Sequence, residues 1–322
     1  MLRIASLVVG LGFLTASCAS SLADEPSTKN HAKLDGWSLV WSDEFEGTSI
    51  DESKWNFEVN CWGGGNKERQ CYTSRPENAF VKDGKLSIVA RLEPSSGPAL
   101  PKEMRDQAPE EERNAVKEQL FTSARLNTKN KADWLYGRIE FRAKFPTGQG
   151  VWPALWMLPT DEVYGAWAAS GEIDVVEAVN LGTECKKCDG GKENRVVGTI
   201  HYGGEWPKNT YKGNKAELPP SADGFYTVAV EWQEGQIDWY LNDKKYSTLK
   251  SSDWRSKALF SKLPKHAPFD QSFFILMNLA IGGNYAESQN EGGVSLEGFP
   301  KTLEVDWVRV YQRAPDFETA NE

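Results

Sequence analysis

Short runs rich in β-branched and aromatic residues, each closed by a turn signal, recur along this chain with almost no helical periodicity between them. They include "WSLVWSDEF", "GKLSIVARL", "YGRIEFRAKF", "GEIDVVEAV", "NRVVGTIHYG", "GFYTVAVEWQEGQIDWYLND", "SFFILMNLAIGG" and "TLEVDWVRVYQRA". Alternation with period two marks half-buried strands. Glu234-Gly235 between two such runs marks a hairpin. Only 102–119, "KEMRDQAPEEERNAVKEQ", has a helical pattern, and its charge and proline suit a partly helical surface insertion. Many strands without interleaved helices predict an all-β sandwich of two antiparallel sheets. With 322 residues and no internal repeat, one large domain over 36–314 is expected, followed by a tail over 315–322.

The first 23 residues read as an export signal. Arg3 precedes an apolar run from Ile4 to Leu14, too short to span a membrane, and small residues follow. Cleavage after "SLA" would leave Asp24 first; alternatively "LTASC" is a lipobox and Cys18 carries a lipid. Residues 24–35 form a polar tether, so the only membrane attachment expected is that lipid anchor. Without Cys18, the cysteines are Cys61, Cys71, Cys185 and Cys188, an even set that reads as two disulfides in an exported chain. The sequence-local pairing, Cys61–Cys71 with Cys185–Cys188, is preferred among the three connectivities. A zinc site built from the same four thiols is the alternative.

A formal charge of −9 argues against nucleic acid as a partner and disfavours a polyanionic substrate. Thirteen tryptophans exceed the needs of a core, and their flat faces suit sugar rings. Within "GEIDVVEA", Glu172 and Asp174 share a strand face, but Glu177 lies an odd five positions after Glu172. A β-bulge at Val175-Val176 would return Glu177 to that face. Four effective strand steps then separate the two Glu Cα atoms by roughly 13 Å. Side chains leaning together from that distance could reach the about 5–5.5 Å carboxyl separation of retaining glycosidases. One acid would attack and the other would give and take a proton, with Asp174 coupling their titrations.

These acids, with "LVWSDEF", "GGGNKERQCYT", "TSARLNT", "YGRIEFRAKFPTGQGVWPALWMLP", "GTIHYGG", "LMNLAIGGN" and "VDWVRVY", resemble glycoside hydrolase family 16 over about 37–312. The stretch from Tyr136 to Ala178 is most similar to bacterial laminarinases, which act on β-1,3-glucans. The resemblance implies a concanavalin-like β-jelly-roll sandwich with a concave substrate cleft and endo-acting retaining hydrolysis. It also implies Glu172 as nucleophile, Asp174 as its helper and Glu177 as acid/base. Trp152, Trp156 and Trp167 match cleft tryptophans. Asn66, Glu68, Arg125, His201 and Asn278 match positions that line the site. Glu44, the Gly84 carbonyl and Asp306 match a structural Ca²⁺ site away from catalysis, and oxygen donors suit that ion. No cofactor for catalysis is implied, and a monomer is the plain expectation.

Two other readings remain at this stage. The same chemistry could act on mixed-linkage β-1,3-1,4-glucan, agarose or carrageenan. A non-catalytic glucan-binding protein could use the same fold, though such relatives typically lack one of the three acids. The segments 94–120 and "ECKKCDGGKEN" depart from the family pattern and bear on which sugars the cleft prefers.

Overall fold

The computed structural model of the protein describes residues 34–254 and 263–313. The expected export signal, Cys18, most of the tether and the tail fall outside them.

A ten-stranded sheet runs from one edge through Lys244–Lys250, Gln236–Leu241, Tyr226–Gln233, Gly137–Lys144, Lys301–Arg313, Lys85–Pro98, Val116–Ser123 and Gln70–Tyr72. Trp37–Asp43 joins Lys301–Arg313, and Ala79–Lys82 joins Lys85–Pro98. A seven-stranded sheet has the order Thr210–Glu217, Arg195–Tyr202, Glu172–Glu177, Val151–Pro159, Phe273–Ile281, Arg125–Asn127, Asn56–Phe57. Pairing between these strands is antiparallel except where Gln70–Tyr72 meets Val116–Ser123. The expected hairpin is present, with Gln233 paired to Gln236 across Glu234-Gly235. The result is the all-β sandwich that the alternation predicted, in the jelly-roll form that the family resemblance implied.

Inward positions of both sheets make one core. Leu155, Met157, Ile173, Ile200, Ile275 and Met277 from the seven-stranded sheet bury with Ile139, Phe141, Val228, Val230, Val308 and Val310 from the other. Four tryptophans, Trp55, Trp232, Trp239 and Trp254, are fully buried core members. The insertion is partly helical and at the surface, as expected, except at its C-terminal end. Lys102–Gln107 and Glu110–Arg113 are short helices with no buried residue, each preceded by a proline. From Val116 onward the chain is a strand paired with the long Lys85–Pro98 strand, so 116–119 is not helical. Its alternating exposure shows the period-two pattern that the charges had masked.

The bulge lies where the acid spacing placed it. Between Asp174 and Val176 the neighbouring strand advances only from Trp156 to Leu155. On the other side, Asp174 to Glu177 spans Thr199 to Val197. One extra residue is therefore inserted, and Val175 and Val176 both enter the core. At this break in the ladder, the indole N–H of Trp239, reaching across from the opposite sheet, donates to the Asp174 carbonyl at 2.8 Å. Gly198 makes room for that indole: an added methyl there would lie 2.2 Å from Trp239 Cδ1. Trp239→Phe, which leaves a buried carbonyl unpaired, is expected to lower unfolding free energy by about 1–3 kcal/mol in urea titration. Unchanged stability would contradict this role for the indole.

Candidate active site

The bulge puts three carboxylates on the outer face of the seven-stranded sheet and brings specific neighbours to each. Glu172 lies opposite His201, and Asp174 lies between Thr199 and Trp156. Glu177 lies between Val197 and Ala154, and Asn278 is the next residue across from Ala154. The small Ala154 leaves the space beside Glu177 open. Trp167 Nε1–H donates to Glu172 at 2.7 Å, and Trp152 Nε1–H donates to Glu177 at 2.9 Å. His201 Nε2 stands 3.4 Å from Asp174 and 3.6 Å from Glu172.

These surroundings separate the acids electrostatically. Burial, then the charge of Asp174, raises Glu172 to about 7, while His201, the Trp167 hydrogen bond and Arg125 act to lower it. Burial, then Asp174, also holds Glu177 well above its ordinary value, and here Glu172 adds to the rise. Burial works against a charged His201, but the fields of Glu172, Asp174 and Glu177 outweigh it and raise the imidazole to about 10. The same surroundings thus favour a proton on Glu177 and a positive charge on His201. A protonated carboxyl facing an ionised one is the pairing needed for acid-assisted displacement at a sugar carbon.

The remaining candidates form the cleft floor and its supports. Trp156 donates to Asn278 Oδ1 at 2.7 Å and lies under the Arg125 guanidinium, 4.6 Å from the ring centre. Arg125 pairs with Glu58 at 3.0 Å. Asn278 in turn donates to the Tyr72 hydroxyl, and Tyr72 to Glu68. Glu68 was expected to meet sugar hydroxyls. It is buried instead, with Gln70 also donating to its carboxylate, and reaches the cleft only through Tyr72 and Asn278. The physical reason is that its glycine-rich loop folds inward: Glu68 bridges to Gly282, and its carboxylate fills the space beside Gly64. Asn66 is exposed, and its carbonyl accepts from the Asn284 N–H.

The loop is held from behind. Cys61–Cys71 closes it, and Cys185–Cys188 forms the second bridge. The sequence-local pairing is thus the one present, and disulfide formation removes the thiolates a zinc site would need. The insertion strand supports the same loop: Gln119 Nε2–H donates to the carbonyls of Cys61 and Glu68, and Lys117 to that of Trp62.

Tyr72, Glu58 and Tyr285 escaped the sequence reading. Tyr285 sits edge-on to Trp152, with ring centres 5.2 Å apart. Alternation in "NFEVN" could have pointed to Glu58, whereas Tyr285 sits on a five-residue helix, Gly283–Glu287, with no period to read.

On the other sheet, pairing registers gather Glu44, Gly84 and Asp306 around the middle of the Lys301–Arg313 strand, where Asp306 sits in a second bulge. Their oxygens suit a hard cation in kind. Both Glu44 oxygens accept from Arg309 at 2.9 Å, and Asp306 pairs with Arg142. An ion there would have to share these carboxylates with the arginines.

A family model described as the GH16 domain of β-porphyranases A–D matches residues 37–313. The chain belongs to glycoside hydrolase family 16. Among its family 16 relatives, glucan endo-1,3-β-glucosidase A1 of Niallia circulans is 40% identical over 88% of this chain, which spans 39% of that protein. A β-glucanase of Rhodothermus marinus is 38% identical, with 87% of each chain covered. The solved laminarinase of Rhodothermus marinus superposes with a TM-score of 0.67 at 36% identity, covering 86% of this chain and 98% of that one.

Glu172 carries a charge that its site disfavours, and the sign of the effect follows. A carboxyl that holds its proton more tightly when folded is least costly below its ordinary value of 4.5, and stability is lost as pH rises through about 7. Glu172→Gln is therefore expected to stabilise the protein at pH 8 by on the order of 1–3 kcal/mol, with the gain vanishing toward pH 4.5. Thermal melts across pH check this. A gain independent of pH would contradict it.

Proposed function

We propose that this protein is a retaining endo-β-1,3-glucanase that cuts laminarin-like glucan within the chain. The observation that carries this reading is the bulged strand, which sets Glu172, Asp174 and Glu177 on one face and raises the proton affinity of both glutamates. Glu172 attacks the anomeric carbon as Glu177 protonates the departing glycosidic oxygen, leaving a glycosyl ester on Glu172. Glu177, now ionised, takes a proton from water as the water oxygen attacks the same carbon, and Glu172 departs as carboxylate. Two inversions give net retention. The Trp167 hydrogen bond orients Glu172, and Trp152 orients Glu177. Asp174 and His201 keep the shared charge beside the nucleophile.

The choice of polymer rests on the relatives named for β-glucan and on the net charge of −9, which disfavours a sulfated galactan. The family model named for β-porphyranases favours a galactan as the second reading. Reducing-end assays on laminarin, mixed-linkage β-glucan, agarose, carrageenan and porphyran separate the two. Laminarin is expected to be cut fastest, with the new anomeric centre first appearing as β by NMR. Preferential cleavage of porphyran, or an α product at first appearance, would overturn the assignment. Glu177→Gln is expected to lose about 10³-fold on laminarin but far less on an aryl glycoside whose leaving group needs no proton. Equal losses on both would deny Glu177 the acid role.

We also propose export, from the apolar run Ile4–Leu14, and a structural Ca²⁺ held by Glu44, the Gly84 carbonyl and Asp306. Calcium addition after chelation is expected to raise the melting temperature without changing kcat. A melt indifferent to calcium would count against that ion.

A further inference from the structure

The two most exposed large aromatic side chains among the described residues stand at the same side of the cleft. Trp206 is 73% exposed and Tyr211 is 70% exposed. Other strongly exposed apolar residues, such as Val116, Val163 and Leu296, are small aliphatics at sites far apart in the sequence. Single exposed aliphatics need no explanation, but two exposed aromatics that both connect to Trp167 beside the acids do.

Their placement is continuous with the acids. Tyr211 lies directly opposite His201 in the register of the edge strand Thr210–Glu217, so it shares the outer face with Glu172. The Trp167 and His201 rings lie 5.7 Å apart, and the His201 and Tyr211 rings also lie 5.7 Å apart. A row of rings thus leads from the Glu172 hydrogen-bond partner to the sheet edge. The Trp206 backbone N–H donates to the Trp167 carbonyl, tying the two tryptophan loops together. Beyond Tyr211 on the same face comes Gly213, where an added methyl would meet the Gly198 carbonyl at 2.4 Å and Thr199 Oγ1 at 2.6 Å. The floor next to the ring is therefore kept flat. Apart from Gly213 and the half-buried Ala216, the rest of the edge strand is polar and exposed, so Tyr211 is not part of a broader apolar edge.

We propose that Trp206 and Tyr211 extend the cleft across the Thr210–Glu217 edge and bind further sugar units of the same glucan chain that is cut at Glu172. Two strand spacings, about 10 Å, separate Tyr211 from the catalytic strand. That distance places the platform beyond a sugar seated over the acids. Flat aromatic faces with one polar tip match the C–H face and hydroxyl rim of a pyranose. This inference rests on the glucanase reading for the identity of the polymer. The platform's function is to hold long chains in place, which favours polymer over short oligosaccharides.

The test uses the full protein carrying Glu172→Gln, which binds without cutting, run in native gels containing laminarin. The parent is expected to be retarded, and adding Trp206→Ala with Tyr211→Ala to weaken retention about tenfold. Tyr211→Phe keeps the ring and is expected to retain most of the binding that Tyr211→Ala loses. Circular dichroism confirms that each variant is folded. Equal retardation of the double variant and the parent would overturn the platform. If the parent is retarded by mixed-linkage glucan and not by laminarin, the substrate reading fails, and the same comparison in that gel decides the platform separately. With cleavage restored, the ratio of kcat/KM on laminarin to that on laminaritriose is expected to fall at least fivefold in the double variant. An unchanged ratio would also overturn the inference.

Discussion

The site depends on one inserted residue and the hydrogen bond that completes it. An extra valine in the Glu172–Glu177 strand turns an odd spacing into an even one, and it breaks the ladder where Asp174 exposes its carbonyl. Trp239 supplies the missing partner from the opposite sheet, through a gap that only glycine at position 198 leaves open. Catalytic geometry is thereby joined to the core packing between the sheets. Without the bulge, Glu177 would face the core; without the indole, the bulge would bury an unpaired polar group.

On the outer face, the same geometry produces the electrostatics. Three carboxylates close together, partly removed from water, cannot all ionise at neutral pH. Burial and Asp174 raise both glutamates and His201 lowers both, but Arg125 lowers Glu172 while Glu172 itself adds to the rise at Glu177. Two glutamates of the same intrinsic acidity thus stand in different electrostatic surroundings. Each receives an indole N–H from a different element, so neither orientation depends on the other. The disulfide-closed loop and the insertion strand behind it hold the Glu68–Tyr72–Asn278–Trp156 chain that floors the cleft.

Much of this was legible in the chain itself, wherever the relevant signal is local. Period-two alternation marked the strands, the five-residue offset located the bulge, and short cysteine separations indicated both disulfides. Partners distant in sequence were not legible. Trp239 lies 65 positions after the carbonyl it meets, and nothing in "QIDWYLND" distinguishes it from core filler. Glu68 was expected to line the site because its position matches the family's, yet this loop turns its carboxylate inward onto Gln70 and Tyr72. In the insertion the helical pattern held only through Arg113, because the strand from Val116 is set by pairing with Lys85–Pro98.

In the proposed mechanism Glu172 is the nucleophile and Glu177 the acid that faces it. Trapping the glycosyl-enzyme with a 2-fluoro β-1,3-glucoside and sequencing the labelled peptide by mass spectrometry tests it most directly. The account predicts a single sugar adduct on Glu172. An adduct on Asp174 or Glu177, or inactivation of the enzyme's turnover without any adduct, would contradict it.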